Sequence, residues 1–260
     1  MNLENLDDYI IEDIEVDDHP SDFIVRDSFV SLILRLPEVN TNIKVDSFAF
    51  ILKDNTIYIY NRDSKMLDRL GNLDDLSKML NKKIDKLILD VKRLHLDIDN
   101  MEESLYSQRV SEKFLDRWLE YKKKISLINR LMFYASVTIE LFISYLKKNS
   151  YQYNKHALED ISEEINRVAN LSKYMVEKLD NLYSFYRAKV DEKMNSNMYY
   201  LTMISGLFLP LTLLTGFFGM NTGGLPWVND PLGTWKVVGI SLFLEIIFFL
   251  PLFLKSKKGY

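Results

Sequence analysis

The sequence predicts an α+β fold that is mainly α: a small N-terminal sheet, a long helical coiled-coil body, and a stalk helix running into a two-helix transmembrane hairpin. Three observations predict it. Short β-branched and aromatic runs lie before Ser64, three heptad registers follow, and the charge pattern breaks near Met194. Between Lys193 and Asp230 there is no Asp, Glu, Lys or Arg, and between Lys236 and Lys255 only Glu245. The chain as a whole is 27% charged with a formal net charge of −4, so the average conceals this step. A soluble body joined to a membrane hairpin produces it. The expected boundaries are 1–62 for an acidic arm and small α/β domain, 63–193 for a long-helix bundle and stalk, and 194–260 for the hairpin, its outward loop and a basic tail.

Residues 1–27 carry ten Asp/Glu against the single base Arg26. This composition predicts a solvated, partly disordered arm; the competing reading is a low-affinity sensor of divalent cations, which prefer carboxylate oxygens. No secretory signal or basic transit peptide is expected at this acidic start. Strand signals follow in Phe29–Leu36, ending at Pro37, in Ser47–Leu52 and in Thr56–Tyr60, with Lys53-Asp54-Asn55 as a hairpin turn. They predict a sheet over roughly residues 8–62.

After Ser64 the period becomes heptad. Leu80, Ile84, Leu87, Val91, Leu94, Ile98, Met101 and Leu105 form one seam, Phe114 to Leu146 a second, and Leu158 to Tyr186 a third. From about Asn154 to Phe218 no Gly precedes Gly206 and no Pro precedes Pro210, so one helix is expected to start in the body and continue through the bilayer. Cysteine is absent, and His19, His95 and His156 are scattered, so no local metal-ligand cluster exists in the sequence. The negative charge argues against nucleic acid as a partner. No nucleophile–base pair or phosphate loop suggests an enzyme, and no resident cofactor is expected.

Tyr199–Phe218 and Val237–Leu254 are uncharged apart from Glu245. At 1.5 Å per residue they cover about 30 and 27 Å, each enough to cross the hydrocarbon core. Lys255, Lys257 and Lys258 place the C-terminus in the cytoplasm, and two spans then place the N-terminal body there too. Within the first span Asn195, Met198, Leu201, Ser205, Leu209, Thr212 and Gly216 fall on one helical face. One reading is close helix packing through small residues. The other is a pore face, with hydroxyls toward hydrated ions and Met198/Leu201 as a hydrophobic constriction. A hairpin cannot enclose a pore alone, so the second reading requires a ring of identical subunits.

Gly219-Met220-Asn221 after Leu209-Pro210-Leu211-Thr212, with two spans and a basic tail, resembles the CorA magnesium-transport superfamily. The string from Gly216 to Pro226, Gly-Phe-Phe-Gly-Met-Asn-Thr-Gly-Gly-Leu-Pro, looks most like its zinc-transporting ZntB branch. The resemblance covers about residues 190–258, and the N-terminal domain is short for the family. It implies a homopentamer in the cell (inner) membrane. Gly219, Met220 and Asn221 become the selectivity filter and Asn221 the residue facing the metal; Asn195, Met198, Leu201, Ser205, Leu209, Thr212 and Gly216 become the pore line, with Met198 and Leu201 as gate. A ring of Asn carboxamides suits hydrated Mg²⁺, which gives up water reluctantly. The loop sequence, whose one acid is Asp230, leans toward Zn²⁺ as cargo, while Met220 is the usual residue of the magnesium branch; Mg²⁺ (with Co²⁺ or Ni²⁺) is the alternative. From another class, a membrane-tethered coiled-coil scaffold is the rival.

Glu245 lies midway along the second span, where a charge costs about 2.5–3.5 kcal/mol and must be protonated, paired or facing water. Two readings stand: a carboxyl hydrogen-bonded to the first span near Thr212 and Thr215, or a carboxyl that couples transport to protons.

Overall fold

In a computed structural model, residues 8–16, 20–40, 43–107, 113–220, 223–227 and 229–256 are described. The chain divides into two compact units, Met1–Tyr186 and Arg187–Tyr260.

In the first unit a five-stranded antiparallel sheet has the order β1-β2-β3-β4-β5, built from β1 (Asp22–Val25), β2 (Val30–Val39), β3 (Ile43–Lys53), β4 (Thr56–Asn61) and β5 (Met66–Gly71). The apolar run on β2 is buried on both faces. Val30, Leu32, Leu34 and Leu36 join the core under the long helices, while Ile33 joins a second core under helix α1 (Asp8–Glu15). A strand covered on both sides needs this continuous hydrophobicity. β2 does not stop at Pro37 as expected; Pro37 pairs with Val45 in the ladder. β1 reaches only Ile33, so Pro37 lies on a stretch of β2 with a neighbour on one side, where a missing N–H is tolerated. The expected hairpin is present: Asp54 and Asn55 have φ of 48° and 60°, the two left-handed residues of a tight two-residue turn that matches strand twist.

Two further expectations are corrected. The sheet does not end near residue 62, because Met66–Gly71 adds β5 on β4. Its Met-Leu-Asp-Arg-Leu-Gly sequence is half-exposed at the edge and carries little alternation to read. The acidic N-terminus is also not a free arm over residues 8–15. Ile10 and Ile14 are 0% and 1% exposed against the sheet, and their four-residue spacing is the helix signal that the acid count masks. The C-terminal carbonyls of α1 face two arginines. Arg35, 1% exposed, donates through Nη2 to the Asp13 and Val16 carbonyls; Arg62 Nη2 donates to the Ile14 carbonyl at 3.0 Å. Cations at this end complement the helix dipole. His19 lies outside the described residues. Among the described residues no group of three or more His, Asp or Glu is placed to hold a metal ion.

Helices α2 (Leu73–Tyr106), α3 (Phe114–Lys148) and α4 (Lys155–Phe218) follow. The Asn72 side chain caps α2 by accepting from Asp74 and Asp75 N–H at 3.0 and 3.1 Å, and Asp75 returns the bond to Asn72 N–H. All eight residues of the first seam are buried, as are Leu158 to Leu182 of the third; in the second, Trp118 and Tyr121 are half-buried. Trp118 Nε1 donates to the Leu179 carbonyl at 2.7 Å. Lys178 ties α4 to α2 through Asp99 at 2.6 Å and through Glu102. Burial works against its charge, but these two carboxylates outweigh burial and hold the ammonium above the usual lysine range. By length and composition α3 could also cross a membrane, but half of its most apolar window is buried inside the body, which makes it a core helix.

Candidate ion pathway

The second unit contains the last half of α4, a connecting loop and α5 (Gly233–Ser256). The most apolar window of α4 has a mean hydropathy of 1.8, and none of it is buried. Such a surface is suited to lipid or to other copies of the chain and not to water. Tyr199, Tyr200 and Trp235 are exposed, at levels where interfacial aromatics belong.

The residues singled out on α4 share an exposed face. Met198, Leu201 and Leu209 are 58%, 65% and 67% exposed, and Asn195, Ser205, Thr212 and Gly216 are exposed as well. The half-buried positions of the same segment are Met203, Gly206, Pro210, Leu211, Leu214 and Phe218. At 3.6 residues per turn these two sets centre about 160° apart. The half-buried positions thus lean away from the singled-out face, with exposed Ile204, Leu207 and Phe217 among them.

Hydroxyls on this helix donate inward along it. Thr212 Oγ1 donates to the Phe208 carbonyl at 2.7 Å, Thr215 Oγ1 to Leu211 at 2.9 Å, and Thr202 Oγ1 to Met198 at 2.8 Å. Each oxygen keeps lone pairs for an outside donor or cation. Pro210 lies within α4 without ending it.

Gly219 N–H bonds to Thr215 O at 2.8 Å and Met220 N–H to Phe217 O at 3.3 Å, closing the helix. Asn221 itself lies outside the described residues, as do Lys257 and Lys258. Gly224 has φ +93°, a conformation that L side chains rarely adopt.

Across the loop, Trp227 (φ +64°) opens a compact turn. Its carbonyl accepts from Asp230 N–H, and the Asp230 carbonyl accepts from Gly233 N–H at 2.9 Å. A Cβ on Gly233 would sit 2.2 Å from the Trp227 carbonyl oxygen, so only glycine fits there. Asp230 Oδ1 accepts from Leu232 N–H at 2.9 Å, and Oδ2 accepts from Lys236 Nζ. First the Lys236 ammonium and then the Leu232 amide hold this carboxyl below the usual carboxylate range. Phe218, Gly219, Trp227, Asp230, Gly233 and Val237 line a cleft of about 500 Å³. It joins the loop acid to the helix end that carries the Gly-Met-Asn motif. Asp230 is legible in the sequence as the one acid of the loop, and its partner Lys236, the lone base six residues later, is added by the structure.

On α5, Gly233, Val237, Ser241 and Glu245 recur every fourth residue, and each is buried or half-buried. On this side Gly233 and Val237 line the same cleft as Phe218 at the end of α4. Glu245 lies on it, but the expected bond to Thr212 or Thr215 is absent. Those hydroxyls donate to their own helix carbonyls, and Glu245 Oε1 is buried with no hydrogen-bond partner.

The sequence profile described as CorA-like Mg²⁺ transporter protein matches residues 2–255. The cobalt/magnesium transport protein CorA of Methanocaldococcus jannaschii is 24% identical over 243 residues, covering 85% of this chain and 75% of its own length. The zinc transport protein ZntB of Vibrio parahaemolyticus is 38% identical over 71 residues, 27% of this chain and 21% of that protein. The solved structure of the M. jannaschii CorA magnesium transporter has the same fold, with a TM-score of 0.74 at 16% identity over 94% of this chain and 82% of that one. With a profile match over nearly its whole length, a small antiparallel sheet and long helices leading into an apolar hairpin, the chain belongs to the CorA-like Mg²⁺ transporter family.

Proposed function

We propose that this CorA-family divalent cation transporter is a homopentamer in the cell (inner) membrane, with both termini cytoplasmic and α4 lining a central pore. Asn195, Met198, Leu201, Ser205, Leu209, Thr212 and Gly216 form the pore line, and Met198 and Leu201 the gate. Gly219, Met220 and Asn221 form the filter, where Asn221 carboxamide oxygens accept hydrogen bonds from the cation's water. The division of α4 into two opposed faces supports this most. The singled-out face, exposed and apolar with interspersed hydroxyl and small residues, leans away from the half-buried positions and is suited to a ring of copies.

Zn²⁺ is the favoured cargo. The loop Gly-Gly-Leu-Pro-Trp lacks an acid, and the 71-residue likeness to a zinc transport protein points the same way. Mg²⁺ is the second reading, favoured by the longer match to a cobalt/magnesium transport protein. Initial uptake of Zn²⁺ and of Mg²⁺ into vesicles containing the purified chain, with and without a pH gradient, tests both. Uptake no faster than in empty vesicles would leave the scaffold reading. Native mass spectrometry in detergent should give five chains per particle; any other stoichiometry sinks the pentamer.

Met198→Ser and Leu201→Ser should each raise resting flux severalfold by wetting the narrow segment. If both variants keep the wild-type resting flux, the gate lies elsewhere.

Glu245 is the residue that would couple a proton to transport. Its Oε1 is buried and has no hydrogen-bond partner. Glu245→Gln preserves shape and cannot titrate, so its uptake should lose the response to a pH gradient while the pentamer persists. Full wild-type pH dependence in this variant would make Glu245 structural.

A further inference from the structure

Asp230 and Lys236 are the only Asp, Glu, Lys or Arg residues between Lys193 and Glu245, and they are bonded to each other. The connection between the spans therefore carries no net charge. Its one carboxylate, with 29% of the side chain exposed, is already occupied by an ammonium that is itself 46% exposed. The same carboxylate borders the cleft shared with Gly219, two residues before Asn221. We infer that Lys236 sets the capture rate and ion preference of the pore mouth, because its ammonium occupies the one loop carboxylate that would otherwise bind arriving divalent cations. The inference rests on the transport reading above and deepens it.

A free carboxylate on every subunit would act in two ways. Its charge would raise the local concentration of cations, an effect that salt screens. Its oxygens would also coordinate. Zn²⁺ takes carboxylate oxygen directly at about 2.0–2.2 Å, whereas Mg²⁺ keeps most of its water. Held by Lys236, Asp230 does neither, and discrimination is left to neutral carboxamides. Lys236 is thus a positioning residue for Asp230 and touches no cargo itself.

The test is initial uptake of Zn²⁺ and of Mg²⁺ by vesicles containing the full chain. It compares wild type with Lys236→Gln, Lys236→Arg, Asp230→Asn and the Asp230→Asn/Lys236→Gln double variant. Measurements run at about 0.01 M and about 0.15 M ionic strength, where the Debye length falls from about 30 Å to about 8 Å. At low salt Lys236→Gln should lower KM about tenfold for Zn²⁺ and less for Mg²⁺, and Zn²⁺ turnover at saturation should fall because release slows. Higher salt should shrink the difference. Asp230→Asn, which leaves an unopposed ammonium, should raise KM at low salt. The double variant should return KM toward wild type, and Lys236→Arg, which retains the pair, should match it. A merely structural pair would instead lower thermal stability in both single variants and leave KM and its salt dependence unmoved; that result overturns the inference while transport stands. Absence of flux in wild type overturns the transport reading and this inference with it.

Discussion

Vesicles containing the Asn221→Ala variant are expected to take up divalent cations at least about a hundredfold more slowly than wild type, close to the rate of empty vesicles. A hydrogen bond involving a charged group contributes about 1.5–3 kcal/mol, and the substitution removes one such contact per subunit at the proposed filter. α4 closes before this position, through Gly219 N–H to Thr215 O and Met220 N–H to Phe217 O. Assembly should therefore survive, and the particle mass should be unchanged. Uptake at the wild-type rate would remove Asn221 from the filter. The membrane potential does not limit the effect, since a dication gains about 4.6 kcal/mol per 100 mV.

Deletion of residues 1–20 is expected to lower the apparent Tm of the detergent-purified chain by about 10–20 °C. Two isoleucines with at most 1% exposure leave the sheet, at about 1.5–3 kcal/mol each. The deletion also strips the Asp13 and Val16 carbonyls to which buried Arg35 donates. A total loss near 5 kcal/mol is comparable to the whole stability of many domains, and for a domain of this size each kcal/mol shifts Tm by about 2–4 °C. An unchanged Tm would show that α1 is dispensable to the core. The same deletion is a poor test of cation sensing, because it removes packing together with charge. Glu12→Gln with Asp13→Asn would separate the two.

Much of this architecture was legible because burial follows simple periods. The seams from Leu80 to Leu105 and from Leu158 to Leu182 are buried as their spacing requires, and Asp54-Asn55 turns where the flanking strands demand. The failures have one physical root. Local composition was read where tertiary partners decide. Ten acids hid the Ile10/Ile14 stripe, whose value depends on a sheet face that no local window reveals. Pro37 looked like a terminator, although the end of β1 leaves that side of β2 without a ladder. At the candidate pathway the family motif and the exposed face of α4 were readable, but the Asp230–Lys236 bond was not. It depends on the turn through Trp227 and Gly233. For Glu245 the mid-span position was evident, whereas the self-bonded threonines that leave its Oε1 without a partner were not.

The order of the five strands has a kinetic consequence. Each strand pairs with the one synthesised immediately before it, so every ladder closes a short loop and no strand waits for a distant partner. Loop-closure entropy rises with loop length, and folding rate falls as contacts become more distant in sequence. A meander of this kind is therefore among the less demanding sheets to nucleate. Domains form from the N-terminal side during synthesis at about 5–20 residues per second, and the sheet is complete at Gly71, long before Tyr199 is made. The ladders of the sheet can thus pair before the apolar end of α4 exists, while the core on their helix side is completed only as α2, α3 and α4 follow.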